Sequence, residues 1–191
     1  MAQRDKTEME DILRAKIPKS KNTRIICRTG NPLDITDLEI VNPYQAKSII
    51  ILSPENHDPD IYVIKSVLAL TNNPKREKGT YHIVAEIKET ANLEAAQLVG
   101  NNRALFVHSP EVIARVTAQT CRQAGLSIVY SGLLQYLGDE IYFKHEPSLS
   151  GKSYHETLFA YETSAVIGIF RQAGTIMLNP PHDTVIKKKK K

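Results

Sequence analysis

The 191-residue sequence lacks long hydrophobic runs, because its uninterrupted apolar stretches reach only four residues, as at positions 49–52. A membrane-spanning helix needs about 20 apolar residues, so the sequence predicts no such helix. Charged residues are spread through the first 14 positions, which argues against a secretory signal peptide. We therefore expect these residues to form a soluble segment.

The signatures of common enzyme classes are also missing. The chain has neither the G-x-G-x-x-G turn of dinucleotide-binding enzymes nor the G-x-S-x-G elbow of serine hydrolases. Cys27 and Cys121 lack the spacing of a metal site or a redox pair, and no two histidines form an H-x-x-x-H pair. We therefore predict no catalytic residues and two reduced cysteines, and a fragment of an NAD-dependent enzyme is the least favoured alternative.

The positive charge of the chain is concentrated at its end. The formal net charge is +4, but it becomes −1 when the five lysines at positions 187–191 are left out. Nucleic-acid binding needs basic side chains clustered on a folded face, so we expect no nucleic-acid partner. The lysine run itself is typical of a disordered, solvated tail.

The first half of the sequence alternates between strands and helices. Predicted strands at 24–27, 49–52, 81–87 and 104–107 are separated by predicted helices at 34–41, 58–71 and 91–99. Nearly continuous apolar strands in this order indicate a parallel sheet covered on both faces. The fold class is therefore α/β, with a partial doubly wound, Rossmann-like sheet that lacks its first strands.

The second half has a different rhythm. Two apolar helices at 109–124 and 126–137 precede a small α+β lobe, which contains strands at 140–144, 165–170 and 175–178 and a helix at 154–160. We predict a sheet subdomain at 1–108, crossover and dimerisation helices at 109–138, the small lobe at 139–186 and the tail at 187–191. The apolar surface of the two helices favours a contact with a second copy of the chain.

Acidic residues follow the predicted strands. Ligands of doubly wound sheets lie at the carboxyl ends of the strands, and converging carboxylates can supply the oxygens that Ca²⁺ prefers. The candidate metal ligands are Glu55, Asp58, Asp60 and Glu86. Asp58 and Asp60 also fit an ordinary helix N-terminus, where Asp58 would be the cap.

A nucleotide is the competing ligand for the same edge. The turn at Gly30 and Asn31 and the loop that contains Ser53 and Asn56 would border a bound dinucleotide. Because the glycine-rich turn that cradles phosphates is absent, we expect this segment alone to bind a nucleotide poorly.

Several stretches together resemble the cytosolic region of the CASTOR/POLLUX ion channels, which is built on the RCK (regulator of K⁺ conductance) domain. They are RDKTEME at 4–10, IICRTGNPLDITDLEIV at 25–41, AKSIIILSPEN at 46–56, HIVAEIKETANLEAAQLVG at 82–100, HSPEVIARVTAQTCRQAGLSIVYSGLLQYLG at 108–138 and GTIMLNPPHDTVI at 174–186. The resemblance covers almost the whole chain. It implies a bacterial homologue truncated before its first strands, and an expected final strand is replaced by the lysines.

The resemblance implies a regulatory domain in a gating ring, on the cytoplasmic face of a membrane. Its partners would be further copies of itself and the pore-forming membrane segment of the same full-length protein. It points to Asp58 (or Asp60) and Glu86 as Ca²⁺ ligands, although Lys88 stands where some relatives have a third acid. A nucleotide-sensing subunit of a potassium uptake system is the alternative.

Overall fold

A computed structural model describes residues 1–17, 23–55, 58–72, 82–101, 103–135, 140–171 and 174–187 of the chain. The chain divides into two units, Met1–Leu126 and Ser127–Lys191. The functional boundaries predicted after residues 108 and 138 stay predictions. Apart from Lys187, the predicted lysine tail lies outside the described residues.

The first unit contains a three-stranded parallel sheet in the order β1-β2-β3. The strands are β1 (Ser48–Ile51), β2 (His82–Ile87) and β3 (Ala104–His108). Helix α3 (Pro59–Thr71) connects the first two strands, and helix α4 (Thr90–Gly100) connects the second and third. This order confirms the predicted α/β fold with parallel strands.

One face of the sheet packs against α3 and α4. Ile83, Ala85 and Ile87 alternate along β2 and are fully buried on this face. Their period of two matches the pleat of a strand. The same core cluster takes residues from the helices: Leu38, Val63, Val67, Leu70 and Ala96. The core therefore lies between β2 and the two crossover helices.

The opposite face of the sheet is apolar but exposed in the described part of the chain. Ile50 is 71% exposed and Leu105 is 58% exposed, and both are in register with Val84 between them. The expected cover on both faces is therefore wrong for the described residues. Both crossovers run in the same direction along the strand order, which places α3 and α4 on one face.

Residues before and after helix α1 (Lys6–Lys16) pair with each other in a short parallel bridge. Ala2 bridges Thr29, with the Ala2 amide 3.2 Å from the Arg28 carbonyl oxygen and the Gly30 amide 3.1 Å from that of Ala2. The strand predicted at 24–27 is not formed. The Ala2–Thr29 bridge lies just beyond this segment and extends over one residue pair, which is too short for a strand. Cys27 is buried, as predicted.

The acidic residues before α2 and α3 behave differently, and the predicted capping role of Asp58 is wrong. Asp34 caps helix α2 (Ile35–Glu39), where its carboxylate accepts the Thr36 amide at 2.8 Å. Asp58 occupies the equivalent position before α3, but its side chain makes no capping hydrogen bond. Pro59 instead favours this helix start, since its fixed φ suits the first helical position.

Two helices follow the sheet, and neither contains a buried residue. Helix α5 (Ser109–Arg122) ends the first unit, and helix α6 (Leu126–Leu134) stops short of the predicted residue 137. Residues 136–139 lie outside the described part of the chain. Within that part, no helix has the length and apolar character needed to cross a membrane.

The second unit contains short elements with few pairings. Helix α7 (Tyr154–Thr157) is shorter than predicted and begins with a capping box between Ser153 and Glu156. Strands β4 (Gly168–Phe170) and β5 (Ile176–Leu178) form an antiparallel pair.

The strand predicted at 140–144 is not formed, and the one predicted from residue 165 begins at Gly168, because alternation produces a strand only where a neighbour pairs with it. Two residues of the predicted hairpin turn, Gln172 and Ala173, lie outside the described residues.

The two faces of the sheet predict different responses to the same substitution. Ile83→Ala should lower the free energy of unfolding by about 2–5 kcal/mol, because it leaves a cavity in the core. Ile50→Ala is the matched control on the exposed face and should cost less than about 1 kcal/mol. Urea unfolding of both variants measures the difference, and equal losses would show that the second face is also buried.

Candidate functional site

The carboxyl ends of the three strands meet at one edge of the sheet, called the carboxyl edge below. It comprises residues 52–55 after β1, residues 86–92 from the end of β2 into α4, His108 at the end of β3, Ser109 after it, and the first turn of α3. Two carboxylates, Asp60 and Glu86, make most of its side-chain hydrogen bonds.

Asp60 is buried in the first turn of α3 and is only 1% exposed. Its Oδ1 accepts the Lys88 amide at 2.9 Å, and its Oδ2 accepts the Glu89 amide at 2.9 Å and the Asn92 side-chain amide at 3.0 Å. A buried carboxylate without partners would be very costly. Here three donors satisfy it, so Asp60 fastens α3 to the loop between β2 and α4.

The surroundings of Asp60 favour its charged form. Burial opposes ionisation, but hydrogen bonds from Asn92, Lys88 and Glu89, together with the Lys88 charge, hold the pKa of Asp60 below its ordinary value of 3.8. Asp60 is therefore a carboxylate at neutral pH.

Glu86 connects the other two strand ends. Its Oε2 accepts the Ser53 amide at 3.0 Å, and its Oε1 accepts the Ser109 hydroxyl at 2.6 Å. Ser53 follows β1 and Ser109 begins α5, so one side chain on β2 bridges to both neighbouring strands. This carboxylate fixes the exits of β1 and β3 relative to β2.

The pKa of Glu86 is also lowered from its ordinary value, which is 4.5. The Ser109 hydroxyl contributes most, followed by the Ser53 amide, while burial opposes the shift. The Lys88 charge lowers the pKa further, and the negative charge of Asp60 raises it. The two carboxylates therefore interact, with Lys88 partly offsetting their repulsion.

The four predicted metal ligands do not converge in the described structure. Asp60 and Glu86 are engaged in the hydrogen bonds of the carboxyl edge, whereas Glu55, at the same edge, and Asp58, next to it, are exposed. Within the described ranges, no group of three or more acidic, histidine or cysteine side chains could hold a metal ion. Ca²⁺ prefers six to eight oxygen ligands, and the hydrogen bonds already use much of the acceptor capacity of Asp60 and Glu86. The described donor set does not fit Ca²⁺, and the metal site stays a prediction.

The predicted nucleotide residues are also engaged in local hydrogen bonds. The Asn31 amide donates to Asp37 Oδ2 at 2.8 Å, and Asn31 Oδ1 accepts the Leu33 amide at 3.0 Å. Gly30 pairs with Ala2. Ser53 lies at the carboxyl edge, with its Oγ buried and unpaired, while Asn56 lies outside the described residues. Nucleotide binding by these residues stays a prediction.

Sequence reasoning missed three residues of the carboxyl edge. Ser109 precedes a proline and an acid, a pattern that predicts a helix cap, but the cap position belongs to His108 and the Ser109 hydroxyl donates to Glu86. Asn92 and His108 carry no motif, since their partners are a buried carboxylate and a backbone carbonyl. Their positions just after strand ends were the only available signal.

The fold is thus a parallel α/β domain with an internally hydrogen-bonded acidic edge, and the sequence comparisons place it among known proteins. Residues 110–191 match the family described as "Castor and Pollux, part of voltage-gated ion channel". Over 191 residues the chain is 36% identical to a probable ion channel POLLUX of Arabidopsis thaliana, covering 98% of this chain and 23% of that protein.

Two further relatives are also named as CASTOR ion channels. The chain is 34% identical to a probable ion channel CASTOR of Oryza sativa subsp. japonica, with 94% of the chain and 20% of the relative covered. It is 33% identical to the ion channel CASTOR of Lotus japonicus, with 98% and 22% covered. Among solved structures, the GsuK RCK domain matches with a TM-score of 0.42 at 18% identity, covering 94% of this chain and 38% of that one.

Along almost its whole length the chain is similar to the CASTOR and POLLUX ion channels, and its residues 110–191 match their family model. It spans about a fifth of the length of the relatives it matches (20–23%). The predicted family is therefore confirmed, and its named members are ion channels rather than enzymes.

Substituting each acid by its amide compares the contributions of Asp60 and Asp58 to the stability of the fold. Asp60→Asn should lower the free energy of unfolding by about 2–4 kcal/mol, because an amide group would face the Lys88 and Glu89 amides. Asp58→Asn is the matched control two residues away and should cost less than about 0.5 kcal/mol. Chemical denaturation measures both, and equal losses would contradict the assigned role of Asp60.

The lowered pKa values of Asp60 and Glu86 predict acid sensitivity. Groups whose pKa is depressed by folding contribute stability that is present above their unfolded-state pKa and is lost as the pH falls through the folded-state pKa. The free energy of unfolding should therefore fall below about pH 5, and less steeply in Asp60→Asn and Glu86→Gln. Identical pH slopes in all three proteins would refute the linkage.

Proposed function

We propose that this chain forms part of the cytosolic regulatory domain of a CASTOR/POLLUX-type cation channel. The observation that carries the proposal is the 33–36% identity to relatives named as ion channels over 98% of the chain. The parallel α/β order supports it, because ligands of such sheets bind beside the carboxyl ends of the strands. Relatives named as channels favour this function over a separate subunit of a potassium uptake system.

The carboxyl edge supports a regulatory role through its connectivity. Asp60 ties α3 to the loop after β2, and Glu86 ties that strand to the loop after β1 and to α5. A ligand that moves one of these loops would break the hydrogen bonds that tie it to its neighbour. It can change the gating equilibrium only through its different affinity for the two states, which amounts to about 1–3 kcal/mol in typical allosteric coupling.

Self-association is a further part of the proposal. Helices α5 and α6 each bury no residue, and Ile113 (65% exposed), Ile128 (76%) and Leu134 (73%) present apolar surface. Exposed apolar surface of this kind is typical of protein–protein interfaces. We infer that these helices contact further copies of the domain in a ring at the cytoplasmic face of the membrane. The pore-forming segment would belong to the same full-length protein.

The identity of the effector is a separate proposal. Ca²⁺ is the ligand that the acidic residues predict, but Asp60 and Glu86 would have to exchange hydrogen bonds for ion contacts. A nucleotide beside Ser53 is the second possibility, because the buried Ser53 Oγ, which has no hydrogen-bond partner among the described residues, offers one hydrogen-bonding group. Both ligands are therefore arms of the functional test.

A chimeric channel tests the proposed function directly. This chain would replace the matching segment of Lotus japonicus CASTOR, and ion currents would be recorded in planar bilayers with and without added Ca²⁺ or ATP. We expect current from the chimera, and a 5- to 150-fold shift of the open–closed equilibrium with the ligand that acts as effector. Introducing Asp60→Asn should reduce that shift, because it uncouples α3 from the loop after β2.

The controls are a CASTOR deleted for the same segment and a chimera with Asp58→Asn. The deletion should give no regulated current, and Asp58→Asn should behave as the unmodified chimera. A chimera that reaches the membrane in normal amounts yet behaves as the deletion would contradict the proposal. Regulated current that responds to neither ligand would retain the channel role and reject both effectors.

A further inference from the structure

His108 lies where the sheet passes into helix α5. It is the last residue of β3 and the cap residue of α5, and its side chain is 13% exposed. Its Nε2 is 3.0 Å from the Lys88 carbonyl oxygen, and its Nδ1 is 3.4 Å from Glu111 Oε2. The ring therefore bridges the loop after β2 and the first turn of α5.

Both principal partners of the ring can only accept hydrogen bonds. A neutral imidazole has one N–H, so one ring nitrogen would direct a lone pair at either the Lys88 carbonyl or the Glu111 carboxylate. The Thr90 hydroxyl, 3.4 Å from Nε2, can donate to that nitrogen, but the carbonyl oxygen is closer. Only the doubly protonated imidazolium donates to both partners.

We propose that His108 is a proton-dependent joint between the sheet and α5. When the ring is protonated it holds the loop after β2 to Glu111, and loss of one proton breaks one of the two contacts. The joint therefore responds to pH through the protonation state of one imidazole ring. This proposal concerns a proton rather than the effector proposed above, and it stands if that effector is wrong.

Six charged residues lie on the elements beside the ring. They come from α3, β2, the loop after β2, and α5: Asp60, Glu86, Lys88, Glu89, Glu111 and Arg115. Arg115 also bonds to Glu111, but through Oε1, which leaves Oε2 to His108. Asp60 and Glu86 are occupied by their own donors. Glu111 is therefore the carboxylate that receives the ring N–H.

The direction of the pH effect follows from this geometry. A contact that exists only in the protonated state stabilises the fold at low pH and is lost as the pH rises. The acidic pair at the carboxyl edge acts in the opposite direction and at lower pH, since the pKa values of both groups are lowered. The two effects are therefore separable between about pH 5.5 and 8.5.

The test uses the 191-residue chain labelled with ¹⁵N, with ring nitrogens and backbone amides followed by NMR from about pH 5.5 to 8.5. We expect both His108 nitrogens to be protonated at the lower pH. The amides of residues 88–90 and 109–111 should shift together as the ring loses its proton. Urea unfolding at the two pH values should show an equilibrium constant that favours the folded state about two- to fivefold more at the lower pH.

Three variants separate a proton-dependent joint from a merely structural side chain. His108→Gln should remove this pH dependence. Glu111→Gln should also remove it, because an amide can accept from or donate to the ring. His82→Gln, at the exposed opposite end of β2, should leave the pH dependence unchanged. Unchanged pH dependence in His108→Gln or Glu111→Gln would overturn the proposal, as would a neutral His108 ring at pH 5.5.

Discussion

The buried carboxylate of Asp60 is the interaction on which the carboxyl edge depends. A charge at 1% exposure can persist only if donors surround it, and Asp60 receives two backbone amides and one side-chain amide. The two amides belong to the loop that connects β2 to α4. The chain therefore passes the start of α3 as it leaves β2, which fixes where α4 begins.

Glu86 extends this arrangement across the sheet. Because it lies on the central strand, it can reach the exit of β1 through Ser53 and the exit of β3 through Ser109. Glu86 thus holds the loop after β1 and the start of α5, and Asp60 holds the loop after β2. The strand exits are thus held in place by hydrogen bonds to side chains of the sheet and α3. His108 adds a third link, whose strength depends on a proton.

The sequence was informative where a pattern is local. The alternation of predicted strands and helices in the first half predicted the parallel sheet and its crossover helices α3 and α4, because each element is set by its own stretch of sequence. The segments at 24–27 and 140–144 have strand-like composition but lack extended pairing, which depends on distant residues. Asp60 and Glu86 were correctly placed at the carboxyl edge. Their observed hydrogen bonds could not be predicted, because their partners are largely backbone amides, which carry no sequence signal.

Hydrogen exchange at single amides tests most directly whether these two carboxylates hold the edge together. The amides of Lys88 and Glu89 should lose protection in Asp60→Asn, while that of Ser53 keeps it. In Glu86→Gln the Ser53 amide should lose protection, and those of Lys88 and Glu89 should keep it. Unchanged protection at all three amides in both variants would contradict the account, because the loops would then be held by something other than Asp60 and Glu86.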